Sequence, residues 1–282
     1  EGAFDMDQPD DSWVRATTVD EVRAAGCTSV RVDGHNLALI ASDGAIHAVD
    51  NRCPHMGFPL DQGSVEDGIL TCHWHHARFD VKTGGTFDLW ADDVRAFPTD
   101  VRDGEVWVDL ASTRDERAHQ RKRLRDGLER NLSLVLAKAA IKLLHLDVPA
   151  VEPFRVALDF GTRYRRGGWG SGLTIHVCMM HLQSLLEEVD QPRALYHGPA
   201  AVAANASGEA PRFMVDPLPD APPDLPTLKR WFRRFVEVRD AEGAERCIAS
   251  ACRTGAGGAE LADMLFAAVT DHRYLDDGHR LD

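Results

Sequence analysis

The sequence predicts a two-domain protein, an all-β unit at residues 12–111 and an all-α unit at residues 112–282, behind an acidic tail at 1–11. Three observations carry that reading. Short alternating apolar runs broken by Asp-Gly pairs occupy the first stretch, and a helical period replaces them from Ala111 onward. At 282 residues the chain is long enough for two cores, and strands gathered ahead of helices point to two separate ones.

In order along the chain, Thr18 opens and Gly26 closes the one short helical stretch of the β part, TVDEVRAAG. A threonine oxygen caps free amides there, and glycine takes the conformation that reverses the chain. TSVRVDG, NLALIASDG, AIHAVDN, ILTCHW and EVWVDLA read as strands. The pairs Asp33-Gly34, Asp43-Gly44, Asp67-Gly68 and Asp103-Gly104 read as hairpin turns, because tight turns of the right twist demand positive φ.

From Ser112, read as an N-cap, STRDERAHQRKRLRDGLERNLSLVLAKAAIKLLHL has helix formers throughout, with Gly127 almost its sole turn residue. Further helices are expected near 151–165, 173–189, 193–205, 227–240, 244–253 and 259–272. Between them, GEAPRFMVDPLPDAPPDLP holds six prolines, which remove backbone donors and make it a surface loop. A spacing of 110 residues relates Ala139, Ala157, Arg163, Tyr164 and Gly168 to Ala249, Ala267, Arg273, Tyr274 and Gly278. Five matches stand equally as chance or as a duplication. As a duplication, the second copy stops short at Asp282 and implies trimming at the C-terminus.

A hydrophobic share of 44% and a charged share of 27% belong to a globular chain with cores of its own. A formal net charge of −13 argues against nucleic acid or an anionic membrane as partner. The basic run Arg121-Lys122-Arg123, with Arg125, sits in a helical pattern and reads as a solvated face. No apolar stretch approaches the ~20 residues that cross a bilayer, and the opening EGAFDMDQPDDS has no signal-peptide pattern. Six unevenly spaced cysteines make no disulfide framework. A reducing cytoplasm, with two cysteines committed to a metal, fits better.

Cys53 and His55 stand as Cys-x-His in NRCPHMGFPLDQG, and Cys72 and His75 as Cys-x-x-His in CHWHHARFD, with sixteen residues between the pairs. Each hairpin-like loop offers one thiolate and one imidazole, with Pro54 and Gly57 shaping the first. Zinc accepts two sulfurs and two nitrogens, but zinc modules commonly pair Cys with Cys and His with His. A mixed pair in each loop suits a two-iron cluster better, one iron taking both thiolates and the other both imidazoles. Neutral imidazoles leave their iron the easier one to reduce, with their outer nitrogens facing solvent or a partner.

At these residues, with AVDNRCPH before and ARFDVKTG after, the chain resembles the Rieske [2Fe–2S] family over about residues 12–110. The resemblance implies small antiparallel sheets with one cluster held at a tip by Cys53, His55, Cys72 and His75. Rieske proteins of respiratory and photosynthetic complexes carry an extra cysteine in each loop, joined as a disulfide; here those positions are Phe58 and Trp74. They also place a serine and a tyrosine hydroxyl beside the cluster, where this chain has Ala77 and Phe79. Hydrogen bonds to the sulfurs stabilise the reduced, more negative state, so losing them lowers the potential. The implied centre is of the low-potential ferredoxin type, fed by a donor such as a ferredoxin reductase. The chain also departs from the family, which usually has glycine after the second ligand histidine, by carrying His76 there. That requires a tolerant backbone or a strained or exposed position. His73, where the family often has proline, and His76 read as exposed residues without a redox role, and Trp74 as packing over the cluster.

In the helical half, GGWGSGLTIHVCMMHLQSLL holds His176 and His181, and RALYHGPAAVAA holds His197, the candidates for a catalytic role. Rieske oxygenases add an iron bound by two histidines and a carboxylate, and the spacing of His176 and His181 superficially matches. However, Leu173 stands where the acid belongs, and five helical residues put the rings about 140° apart, a poor chelate. Cys178, Met179 and Met180 read as core packing, and Cys27, Cys247 and Cys252 as ordinary thiols. YHGPAAVA and DHRYLDDGH are similar to helical questin oxidase-like proteins over about residues 130–282. That implies an oxidative ring-cleavage role, against the simpler reading of these histidines as ordinary helix residues.

Three functions follow. A redox component passes single electrons to an oxygenase, a small organic substrate or its own helical domain, with a Rieske non-haem iron oxygenase as a variant. A redox-sensing adaptor uses the cluster as sensor and the helices as grip. A zinc-stabilised scaffold does no redox chemistry. The motifs favour the first. On that reading a redox titration is expected to give a midpoint near the low end of the Rieske range, about −150 mV; a clearly positive potential overturns the low-potential assignment.

Overall fold

The computed structural model describes residues 12–111, 114–165 and 169–271. The acidic tail 1–11, the Ser112 cap, and Gly168, Arg273, Tyr274 and Gly278 of the spaced matches lie outside those residues, as does DHRYLDDGH beyond Asp271. The chain divides into two compact units, Glu1–His119 and Gln120–Asp282.

Strands of the first unit are β1 (Trp13–Thr18), β2 (Cys27–Val32), β3 (His35–Ser42), β4 (Ala45–Asp50), β5 (Ser64–Glu66), β6 (Ile69–Thr71), β7 (Arg78–Asp80), β8 (Ala96–Phe97), β9 (Thr99–Arg102) and β10 (Glu105–Asp109). They form three antiparallel sheets ordered β1-β10-β9, β2-β3-β4-β8 and β5-β6-β7. All four Asp-Gly pairs have positive φ at both residues, from 45° at Asp33 to 80° at Gly104, as the hairpins require. The helix α1 (Val19–Ala25) is closed as expected. Thr18 accepts from the Glu21 amide, Glu21 reaches back to the Thr18 amide, and Gly26 ends it at φ 74°.

β3 shows where the cores lie. Its residues Leu37 to Ile40 are all buried, which a strand with one wet face cannot achieve. Successive side chains point to opposite faces: Ala38 and Ile40 join a core with Leu60, Leu70, Phe79, Cys53 and Cys72. Leu37 and Leu39 join a second core with Val22, Val106 and Val108. The two candidate metal-binding cysteines are therefore parts of an apolar core. Behind β7, Asp80 accepts from the amides of Lys82 and Thr83 and from the Thr83 hydroxyl. That turn hands the chain to Gly84, whose φ is 74°, whose N–H donates to Asp80 O at 2.8 Å and whose carbonyl accepts from the Val94 N–H at 2.9 Å.

The helices that follow are α2 (Glu116–Glu129), α3 (Ser133–His145), α4 (Val151–Arg163), α5 (Ser171–Leu182), α6 (Gln191–Ala206), α7 (Leu225–Glu237), α8 (Ala241–Arg253) and α9 (Gly258–Asp271). Leu136, Leu143, Phe154 and Leu195 centre one core, and Leu228, Phe232, Cys247 and Met264 another. Where α5 meets α6 the backbones come close, and a Cβ on Gly172 would fall 2.5 Å from the Ala201 carbonyl oxygen. Among the described residues no helix is long and apolar enough to cross a membrane.

The structure corrects four local expectations. The first long helical stretch breaks in two at Asn131, which takes φ 53°, while Gly127 lies inside α2 and packs on Leu136. α5 ends at Leu182, well before residue 189, because Gln183 and Gln191 bond each other and Gln191 takes the Leu186 carbonyl. The basic run is a solvated face only at Lys122 and Arg125; Arg123 is buried and Arg121 pairs with Glu152 at 2.5 Å. Cys178 is exposed, while Met179 and Met180 do pack against the core.

Gly84 is the position where the β unit tolerates substitution least. A Cβ there would run into the Val94 carbonyl oxygen, at a φ that side chains avoid. Gly84→Ala is expected to cost about 2–4 kcal/mol, read as an earlier denaturation transition of the β unit of the whole chain.

Candidate metal centre

Two loops of like construction carry the candidate ligands. In the first, Cys53 N–H donates to Phe58 O and Gly57 N–H to Cys53 O, both at 2.8 Å. In the second, Cys72 N–H donates to Ala77 O and His76 N–H to Cys72 O, both at 2.9 Å. Each cysteine thus closes its loop onto the residues four and five places on, and each closure passes through positive φ at the fourth, 88° at Gly57 and 62° at His76. The anomaly at His76 resolves physically: it holds the left-handed corner that glycine holds in the other loop, and its side chain is exposed.

With the loops so closed, Cys53 and Cys72 are buried, their thiols are in contact, and neither is in a disulfide. Burial pushes the Cys53 thiol up to about 11, and the Cys72 thiol beside it adds to the rise. A pair of thiolates in such a setting requires cationic charge next to it. The rings of His55 and His75 lie edge to face, their centroids 4.7 Å apart. His55 Nδ1 is buried and, among the described residues, has no hydrogen bond, although the ring itself packs against His75 and Trp90. His75 is exposed.

Among the described residues, the metal-ligating types whose donor atoms gather in threes within 4.8 Å are Asp92, Asp93 and His119. No three of Cys53, His55, Cys72 and His75 do so. Four ligands on one tetrahedral zinc sit about 3.5 Å apart, so thiols paired with thiols and rings with rings suit two metals instead. This donor set, two thiols side by side and two imidazoles side by side, fits a two-iron cluster. The Asp92, Asp93 and His119 group is accounted for without a metal: His119 pairs with Asp92 at 2.8 Å, and Asp93 accepts from the Thr86 amide.

Several neighbours carry no signal in the sequence. The Trp90 ring meets the His55 ring at 4.7 Å, and its segment is tied to β7 by Asp88, which takes the Arg78 amide and guanidinium. Asn51 is buried, accepts from the Asp61 amide and donates to Asn36 O, which fixes the approach to the first loop. Trp74, expected to cover the site, is half-exposed and packs on His75 and Phe58. The positions without the disulfide are thus filled by a pair of aromatic rings. Ala77 and Phe79 are fully buried in the core that holds the thiols, and His73 is exposed.

The candidates in the helical unit do not form a comparable group. His176 is buried with Nε2 at 2.9 Å from Phe154 O, while His181 and His197 are exposed. Burial lowers the His176 pKa from its usual value. Gly198 leaves room for its ring, since a Cβ there would stand 3.0 Å from Nδ1.

Residues 12–98 match the family described as the Rieske [2Fe–2S] domain. The ferredoxin component of the alkene monooxygenase system of Xanthobacter autotrophicus is 30% identical over 107 residues, 38% of this chain and 88% of its own. The chain belongs to the Rieske family. Its Rieske unit is an electron-transfer unit that carries one [2Fe–2S] cluster. The ferredoxin component of the naphthalene 1,2-dioxygenase system of Pseudomonas putida is 29% identical over 100 residues, 35% of this chain and 96% of its own. A solved ferredoxin of carbazole 1,9a-dioxygenase from Nocardioides aromaticivorans is 29% identical, with a TM-score of 0.34, over 36% of this chain and 99% of its own. These matches leave the resemblance of the helical half to questin oxidase-like proteins unsupported.

At the left-handed corner of the second Rieske loop, His76→Gly is expected to leave the cluster spectrum unchanged and to raise stability by about 0.5–1 kcal/mol. Denaturant unfolding of the two purified chains checks this, and loss of the cluster on substitution would show that the imidazole itself is needed.

Proposed function

We propose that Cys53 and Cys72 bind the inner iron of the [2Fe–2S] cluster and His55 and His75 the outer one. We further propose that the unit relays single electrons at low potential from a ferredoxin reductase to an oxygenase-type acceptor. The observation that supports this is the pairing itself, thiol beside thiol in the core and ring beside ring toward the surface. When bound, the cluster supplies a one-electron couple.

The chain's own residues do the rest. Leu60, Leu70, Ala77 and Phe79 surround the thiols with apolar groups and offer the sulfurs no hydroxyl, which favours a low potential. Trp90 meets the His55 imidazole edge to face and helps to hold its orientation. Met56, Trp74, Phe87 and Leu89, on the segments around the histidine pair, are each more than half exposed. Exposed apolar side chains on the segments that flank a redox centre offer a docking surface for a transient partner. The oxygenase acceptor is supported by relatives described as ferredoxin components of dioxygenase and monooxygenase systems. Cys27, Cys178, Cys247 and Cys252 are free thiols, in keeping with a reducing cytoplasm. For the helical unit we propose an accessory role, because its buried histidine is already committed to a backbone carbonyl.

Cys72→Ser is expected to abolish visible absorption and the low-average-g EPR signal after dithionite, with iron content near zero and helical circular dichroism retained. Full iron loading of that variant would remove Cys72 from the ligand set. Trp74→Ala is expected to keep the EPR signal while reduction of the chain by a ferredoxin reductase slows several-fold. An unchanged rate would move the docking surface elsewhere.

A further inference from the structure

The proline-rich stretch between α6 and α7 is anchored at both ends. Near its start, Pro211 bridges Tyr164, Arg212 N–H donates to Arg163 O at 2.8 Å, and the Arg212 guanidinium pairs with Glu245 of α8 at 2.8 Å. Further on, Leu218 N–H donates to Ser250 Oγ at 2.9 Å, and Arg253 donates to the carbonyls of Leu218 and Asp220. Between these anchorages, residues 213–217 help to line a cavity of about 620 Å³ whose wall is mainly apolar. That size lies within the range of small-molecule sites, about 300–1,000 Å³. Phe213 and Met214 are 92% and 93% exposed, although both border the cavity. Apolar side chains so placed gain by being covered.

The charged groups of the wall are Arg165, Arg212, Asp216 and Glu245. Arg212 and Glu245 answer each other, and Asp216 is exposed to solvent. Arg165 is different. Its Nε is buried and, among the described residues, has no hydrogen-bond partner. Burial and the charge of Arg212 both disfavour its cation, and Glu245 opposes them only in part. Arg165 borders the cavity, and a guanidinium receives a carboxylate through two parallel hydrogen bonds.

We infer that this cavity binds an apolar monocarboxylate, its carboxylate against Arg165 and its hydrocarbon body among Phe213, Met214, Phe232, Ile248 and Leu265. Fatty acids and aryl acids share that chemistry. The inference is independent of the cluster, so its failure leaves the Rieske reading standing.

Calorimetric titration of the whole chain with decanoate and with 4-phenylbenzoate, each against the matching alcohol, tests it. At least one acid is expected to bind about tenfold or more tightly than its alcohol, and which acid does so separates a fatty-acyl from an aryl ligand. Arg165→Met is expected to abolish the preference for the acid. Glu245→Gln, which removes the carboxylate that faces Arg212 and Arg165, is expected to keep or strengthen it. Cys252 lines the cavity and is exposed, so bound acid is expected to slow its alkylation by iodoacetamide several-fold while the exposed Cys178 reacts unchanged. That readout uses the unsubstituted chain and does not depend on how a variant folds. No binding at millimolar acid, equal affinity for acid and alcohol, or an unaltered preference in Arg165→Met overturns the inference.

Discussion

Between Cys53 and Phe58, and again between Cys72 and Ala77, the cysteine's own amide and carbonyl are both used to close its loop. Those bonds fix the direction of each Cα–Cβ vector, so the sulfur enters the core and cannot rotate away with the backbone. The histidine two or three residues on then meets its counterpart from the other loop, ring against ring. Everything else in the β unit serves to set these two closures side by side. β3 is buried on both faces because it carries the floor of the centre on one side and a separate core on the other. The turn at Asp80 and Gly84 returns the chain so that Trp90 meets His55.

What could be read from the sequence was local chemistry. The four Asp-Gly corners and the Thr18 cap need only two to four residues each to be specified, and all formed as expected. The spacings of the candidate ligands are local in the same sense, and His76 was visible as an oddity because positive φ penalises any residue with a Cβ. The short strands β5, β7 and β8 were not legible, since two or three residues carry no alternation to count and owe their pairing to distant partners. Trp90 and Asn51 were missed for the same reason: their roles come from packing against residues remote in the chain. The break at Asn131 was missed because helix propensities there differ by only tenths of a kcal/mol, and the packing of Leu136 against Gly127 decides the matter.

In the helical unit the three candidate histidines differ in setting, one buried and two exposed. Three histidines in two helical segments suggested a second centre, yet the buried one bonds the Phe154 carbonyl of α4 and has room for its ring beside Gly198. The chemistry that its sequence hid lies in the proline-rich connection. Prolines there do more than forbid a helix, because they keep the segment extended between its two attachments to α8 and so hold a concave apolar surface open.

The two left-handed corners of the candidate centre are equal in backbone shape but unequal in what surrounds them. A Cβ on Gly57 would stand 3.2 Å from Arg52 Nε, whereas His76 already carries a whole imidazole into solvent. One corner is thus closed by a neighbouring side chain, while the other is an open socket. A chromophore, a tether or a surface linkage can be attached at position 76, next to the candidate centre, without entering its core. The protein therefore contains a natural wiring point, on the same turn that positions His75.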